Sequence, residues 1–237
     1  MKLFKNTPEE VERIRGICSI LDYSAALVPT ASKADVIKAC NEAKQYKFAA
    51  VPVFPSYLPL VSEQLQGTKI APQLACGFPC GGVATSVKKA EVVQALEDGA
   101  TEVDMVINIG RLLDKDFKFV ENDIKTVVDT AHAADVTVKV ILEIGLIKDE
   151  DKKNGVEIAC TCGADFIKTC TGFAEGRATV RDIALIKELA KGRIKIKASG
   201  GVASLEDAAS FIDAGADRVA GRYNFVAQMQ GIGINGF

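Results

Sequence analysis

Asp98-Gly-Ala-Thr-Glu-Val103 is echoed twice further along the chain, as Cys162-Gly-Ala-Asp-Phe-Ile167 and Ala214-Gly-Ala-Asp-Arg-Val219. In each, a glycine just past a helical pattern can take the left-handed conformation that ends a helix, and the small and polar residues behind it turn the chain into a strand. A joint used three times implies one repeating helix-to-strand unit. Working outward from it, strands are expected at Ile17–Leu21, Phe48–Val53, Lys69–Cys76, Glu102–Asn108, Val136–Glu143, Asp165–Thr169, Ile194–Ala198 and Asp217–Gly221. Between them, segments such as Ala90-Glu-Val-Val-Gln-Ala-Leu-Glu97 repeat apolar residues every three or four positions, as helices do. Such alternation requires parallel strands and right-handed crossovers. Eight units in 237 residues predict an α/β fold, a single (βα)8 TIM barrel occupying 1–237 as one domain, with an extra N-terminal helix around Pro8–Arg15. An open, doubly wound sheet is the alternative.

Composition removes several function classes. At 48% hydrophobic residues the chain can bury a full core. A net charge of −2, with basic and acidic residues interspersed, leaves no footprint for nucleic acid. The first ten residues lack an apolar signal core, and no run approaches the roughly 18 apolar residues of a membrane span, so a soluble, unsecreted protein with no membrane partner is expected. Seven cysteines without framework spacing suit a reducing cytoplasm. His132 is the single histidine, so no histidine-centred triad or zinc site can be assembled. A homodimer is the prior for a small cytosolic enzyme.

Strand parity then sorts the charged residues. Val103, Met105 and Ile107 point one way and Glu102, Asp104, Val106 and Asn108 the other; the same split sets Lys139, Ile141 and Glu143 against Val138, Val140 and Leu142, and Lys195 and Lys197 against Ile194 and Ile196. With Lys168 on the face of Phe166 and Cys170, one barrel axis is expected to hold Asp104, Glu143, Lys168 and Lys197 near the C-terminal strand ends, where barrel active sites lie. An internal lattice of ion pairs is the structural use of such charges. The chemical use is a Schiff base. Lys168 must lose its proton to attack a carbonyl, and both burial and a second ammonium at Lys197 disfavour the charged form. Asp104 is the carboxylate suited to moving protons around that amine.

Gly99–Gly110, Val138–Gly145, Gly163–Gly172 and Ile196-Lys-Ala-Ser-Gly-Gly-Val202, together with Pro29-Thr-Ala31, Glu42-Ala-Lys44 and Cys76-Gly-Phe-Pro-Cys-Gly81, resemble the deoxyribose-phosphate aldolase family from about Asp22 to Gly221. The resemblance implies a class I aldolase that needs no metal or organic cofactor and reversibly splits 2-deoxy-D-ribose 5-phosphate into acetaldehyde and glyceraldehyde 3-phosphate. It aligns Lys168 with the family's Schiff-base lysine, Lys197 with its second lysine and Asp104 with its proton-handling carboxylate. For the phosphorylated substrate, Asp22, Gly172, Gly200, Gly201, Gly221 and Arg222 are the binding candidates, the glycines because their backbone N–H groups are unobstructed.

Three stretches depart from the family pattern. Arg222 and Tyr223 stand where serines are usual after the eighth strand. Asp22-Tyr-Ser-Ala-Ala-Leu-Val-Pro-Thr30 is one residue longer than the usual run and lacks its lysine, and Pro52 and Phe54 replace a cysteine or similar residue and an asparagine in the second strand. Pro52 also removes a ladder donor, which predicts a bulge or break. These departures keep two other readings open: a related Schiff-base lyase with a carboxylated or unphosphorylated acceptor, and a catalytically silent barrel with a binding role.

Overall fold

The computed structural model describes residues 4–237; residues 1–3 of the expected 1–237 domain lie outside the described residues. Eight strands, β1 (Leu21–Tyr23), β2 (Ala50–Val53), β3 (Ala71–Cys76), β4 (Glu102–Val106), β5 (Thr137–Ile141), β6 (Phe166–Lys168), β7 (Lys195–Ala198) and β8 (Arg218–Gly221), pair in sequence order, all parallel, and β8 returns to β1 to close the barrel. The helices are α1 (Pro8–Ser19), α2 (Lys33–Tyr46), α3 (Leu58–Leu65), α4 (Thr85–Glu97), α5 (Ile109–Leu113), α6 (Phe117–His132), α7 (Asp149–Thr161), α8 (Val180–Ala190), α9 (Leu205–Ala214) and α10 (Tyr223–Gly231). Among the described residues, no helix is long and apolar enough to cross a membrane.

The repeated joint works as its sequence suggests, with one addition. Gly99, Gly163 and Gly215 have φ of 87°, 78° and 115°, the left-handed region that a side chain disfavours. In the second and third joints the aspartate two residues later, where the first joint has Thr101, does more than turn the chain. Asp165 accepts the backbone N–H of Val138 at 2.8 Å, and Asp217 that of Ile196 at 2.9 Å, so β6 and β8 are each latched to the preceding strand where they start.

Two local expectations need correction. Thr7 caps α1 with Pro8 in its first turn, and Ile14, Ile17 and Cys18, three and four apart, bury one helical face. That face carries the helix to Ser19, so the strand expected at Ile17–Leu21 begins only at Leu21. Pro52 makes no bulge: the register between β2 and β3 runs unbroken through Pro52↔Gln73, and pairing is short on the other edge, where Asp22↔Ala50 alone joins β1 to β2.

Parity holds within the strands. Val103, Met105, Val138, Val140, Ile167 and Ile196 enter the apolar layer under the helices. Arg218 of β8 reaches Glu102 of β4 at 2.8 Å, a contact across half the barrel that only its interior permits. Register places small residues at the level of these charges: Ala50 and Ala220 pair with Asp22, and Ala75 with Asp104. The interior is narrow at Ala50, Pro52 and Ala75, where the buried amide of Gln73 is the polar side chain beside them, and ionic around the remaining strands.

Candidate active site

The barrel interior holds a closed circuit of charge. Asp104 Oδ2 accepts from Lys168 Nζ at 2.7 Å and from Lys197 Nζ at 2.6 Å, while its Oδ1 lies 3.3 Å from Lys139 Nζ. Lys197 also contacts Asp22, whose other oxygen accepts from Arg218 Nε at 2.6 Å. Arg218 Nη2 grips both oxygens of Glu102, at 2.8 and 3.0 Å, and Glu102 contacts Lys139. Lys168 and Lys197 are register partners on β6 and β7, which is why two like charges meet on one carboxylate.

Electrostatics distinguish the members. Four cations face three carboxylates, so the fully ionised circuit carries one surplus positive charge inside the protein. Burial pushes the Lys197 ammonium down to about 8, assisted by Lys168 and Lys139 and opposed by Asp104 and Asp22. Burial acts to raise both aspartates, but the surrounding cations outweigh it: Asp22 sits at about 2 and Asp104 well below the carboxylate range. Lys139, with three carboxylates near it, is held above an ordinary lysine despite complete burial. Lys168 has the fewest tethers, one oxygen of Asp104 and the face of Phe78, whose ring centroid is 5.1 Å from Nζ.

The residues expected on one axis divide. Asp104, Lys168 and Lys197 converge, whereas Glu143 does not join them. It follows β5 with φ of 51°, so strand parity no longer governs it, and it accepts from the backbone N–H of Thr171 at 3.1 Å and from the Thr171 hydroxyl. Thr171 Oγ1 in turn accepts from Phe173 N–H at 3.1 Å, which shapes the loop after β6. Asn108, also past its strand, caps α5 by accepting from Arg111 N–H at 3.1 Å. Cys170 is buried in the apolar core, and Lys195, at the opposite end of β7, is exposed over the Phe166 ring. Arg218 was missed, although it alternates with outward Val219 as an interior residue must.

A cavity of about 550 Å³ opens at the C-terminal rim of β6, β7 and β8, and five of the six binding candidates line it: Gly172, Gly200, Gly201, Gly221 and Arg222. The Arg222 guanidinium lies beside Gly172, where an added Cβ would stand 3.8 Å from Nη2. Gly200 and Gly201 have φ of 76° and 95°, and a Cβ on either would come within 3 Å of Cys170 or of the Ala178 carbonyl. Gly221 is required by packing, since a Cβ there would meet the Phe225 ring at 2.6 Å. Arg177 also borders the cavity. The sixth candidate, Asp22, is fully buried within the ionic circuit.

A closed parallel barrel with a lysine amine at its C-terminal rim, backed by a second lysine and a carboxylate, defines the class of Schiff-base aldolases. The chain belongs to the DeoC/LacD family aldolases, whose sequence model matches residues 17–233. It is 45% identical over 203 residues to the deoxyribose-phosphate aldolase of Bacillus mycoides and 46% identical over the same length to that of Listeria innocua, covering 86% of this chain and 90% of each relative. Among solved structures, an aldolase called QR15 superimposes with a TM-score of 0.82 at 37% identity, covering 92% of this chain and 94% of that one. The deoxyribose phosphate aldolase of Aeropyrum pernix, described as tetrameric, gives 0.80 at 31% identity, covering 87% and 86%.

Proposed function

We infer that this aldolase reversibly cleaves 2-deoxy-D-ribose 5-phosphate to acetaldehyde and D-glyceraldehyde 3-phosphate through a Schiff base on Lys168. The observation that supports it most is the sharing of one Asp104 oxygen by the ammonium positions of Lys168 and Lys197. The Lys168 amine adds to the C1 aldehyde and the carbinolamine loses water. The resulting iminium accepts the electron pair of the breaking C2–C3 bond as the C3 hydroxyl gives up its proton. The enamine left behind is protonated at C2, and hydrolysis releases acetaldehyde and the free amine. Asp104, held so far below the carboxylate range, is a proton conduit; Lys197, at about 8, is the group able to supply and recover a proton near neutrality. Asp22 positions Lys197.

This assignment has a pH signature. Lys197 is protonated below about 8 and loses its charge as pH rises through that value, so kcat/KM is expected to fall on the alkaline side with an apparent pKa near 8. Because Asp22 helps keep the proton on Lys197, Asp22→Asn moves that limb to lower pH. A limb unmoved by the substitution separates the alkaline pKa from Lys197.

The phosphate is assigned to the cavity bordered by Arg222 and the Gly172, Gly200 and Gly201 amides. Loss of a charged hydrogen bond amounts to about 1.5–3 kcal/mol, so Arg222→Ala should lower kcat/KM for the phosphorylated sugar by roughly 10- to 100-fold and leave unphosphorylated 2-deoxyribose within about twofold. Equal losses on both sugars would remove Arg222 from phosphate binding. The relatives do not favour a carboxylated or unphosphorylated acceptor, or a silent barrel. Seven unpaired thiols suit a cytoplasmic site of action, and self-association, expected as a homodimer, is read directly by light scattering.

A further inference from the structure

Inside the barrel, Nε2 and Oε1 of Gln73 and Oδ1 of Asp104 have no hydrogen-bond partner among the described residues, although both side chains are buried. Gln73 lies on β3, where Leu74 and Cys76 pack under the helices, so Gln73 and Ala75 turn inward. Register pairs Gln73 with Glu102 and Ala75 with Asp104, which makes Gln73 and Asp104 diagonal neighbours on one interior face. Glu102 is already taken, by Arg218 and Lys139, and the adjoining interior positions Ala50, Pro52 and Ala75 offer no polar side-chain atom. Asp104 is also loaded unevenly. Its Oδ2 accepts from Lys168 at 2.7 Å and from Lys197 at 2.6 Å, while Oδ1 has the Lys139 ammonium 3.3 Å away without a hydrogen bond.

A buried amide with neither end paired costs stability unless water completes it, and water is retained in a protein interior where about two to four polar atoms surround it. Gln73 and Asp104 supply three such atoms, and the one-carbon side chain of Ala75 adjoins both residues. We propose that Gln73 is a positioning residue: through a buried water it anchors Oδ1 of Asp104 and so keeps Oδ2 between Lys168 and Lys197. The proposal rests on the Schiff-base reading above. Water accepts from the Gln73 amide nitrogen and donates to Oδ1, the oxygen that does not touch Lys168. The need for it arises during turnover. Once the Lys168 nitrogen is bonded to the substrate carbon it no longer serves Oδ2 as an ammonium, and one of the two hydrogen bonds that aim the carboxylate is given up. The water on Oδ1 then holds the carboxylate against rotation while protons pass at the carbinolamine and enamine stages. A misaimed carboxylate slows those steps although every catalytic group is still present.

The test compares the parent protein with Gln73→Met and Gln73→Ser by crystallography, by turnover of 2-deoxy-D-ribose 5-phosphate and by denaturant titration. The parent should show a water within hydrogen-bond distance of both the Gln73 amide and Asp104 Oδ1. Methionine fills the volume of the amide without binding water, so Gln73→Met should lower kcat by about 5- to 50-fold and leave KM within about twofold. It should unfold at the same or a higher denaturant concentration, because a hydrated polar group has been exchanged for an apolar one of similar size. Serine is shorter and leaves room for a further water, so Gln73→Ser should keep kcat within about threefold of the parent. The proposal is overturned by a parent without that water, by an unchanged kcat in Gln73→Met, by a loss in Gln73→Ser as deep as that in Gln73→Met, or by turnover and stability falling together in Gln73→Met. Absence of borohydride trapping at Lys168 in the parent overturns the Schiff-base reading and this inference with it, whereas trapping that persists in a parent lacking the water strikes the inference alone.

Discussion

Lys168→Met abolishes aldehyde release and borohydride trapping, with kcat/KM down by about 10⁴-fold or more, and does so in a protein as well folded as the parent. Loss of a nucleophile removes the covalent route entirely, and what remains is the modest assistance of binding and positioning. The stability half of the expectation comes from charge balance. The circuit holds Lys139, Lys168, Lys197 and Arg218 against Asp22, Glu102 and Asp104, and Lys168 contributes to it through one oxygen of Asp104 alone. Removing it leaves three cations on three carboxylates, with Asp104 still contacted by Lys197 and Lys139. Methionine fills most of the volume, so unfolding free energy should stay within about 1 kcal/mol of the parent. The checks are aldehyde release, mass spectrometry of the reduced adduct and a denaturant titration. Undiminished turnover by Lys168→Met refutes the mechanism, and a stability loss comparable to that of a broken buried ion pair refutes the account of Lys168 as the surplus cation.

The parts of this structure that follow local periodicity were legible in the sequence, and those that depend on chain reversal were not. The Gly-Ala joints and the β-branched runs locate seven of the eight strands, and period two then turns Asp104, Lys139, Lys168 and Lys197 inward before any contact is known. Parity fails one residue past a strand, which is why Glu143 and Asn108 face a loop and a helix end. Arg218 escaped notice because a strand of four residues gives alternation little length, and an arginine near a strand start reads equally well as a solvated end. The ring contacts of Phe173 with Phe54 and Phe78 were not legible, because the three lie in loops after β2, β3 and β6, Phe78 and Phe173 95 positions apart, and no local pattern links them. Asp22 illustrates the converse: its position beside the site was visible, but its burial among Lys197, Arg218 and Lys139 depends on contacts across the barrel.

Asp104→Asn is the opposite experiment, because it deepens the imbalance that Lys168→Met relieves. Asparagine keeps the shape, yet three ammonium positions lose the charge that compensates them, leaving four cations on Asp22 and Glu102. Breaking a buried pair from one side costs about 3–5 kcal/mol, since the remaining charge stays desolvated and unpaired. Activity should fall as well, by about 10²- to 10⁴-fold, the usual contribution of a positioned proton carrier. The two losses separate in a double variant. Lys139→Met removes the cation on the far oxygen of Asp104, and Glu102 keeps its two-oxygen grip on Arg218, so adding it to Asp104→Asn should recover a substantial part of the lost stability. Turnover should not recover, because the carboxylate between Lys168 and Lys197 is still missing. A denaturant titration and a turnover assay on the four members of the cycle decide it. Activity returning in step with stability would mean that Asp104 serves the fold alone; stability returning without activity assigns the proton path to its carboxylate.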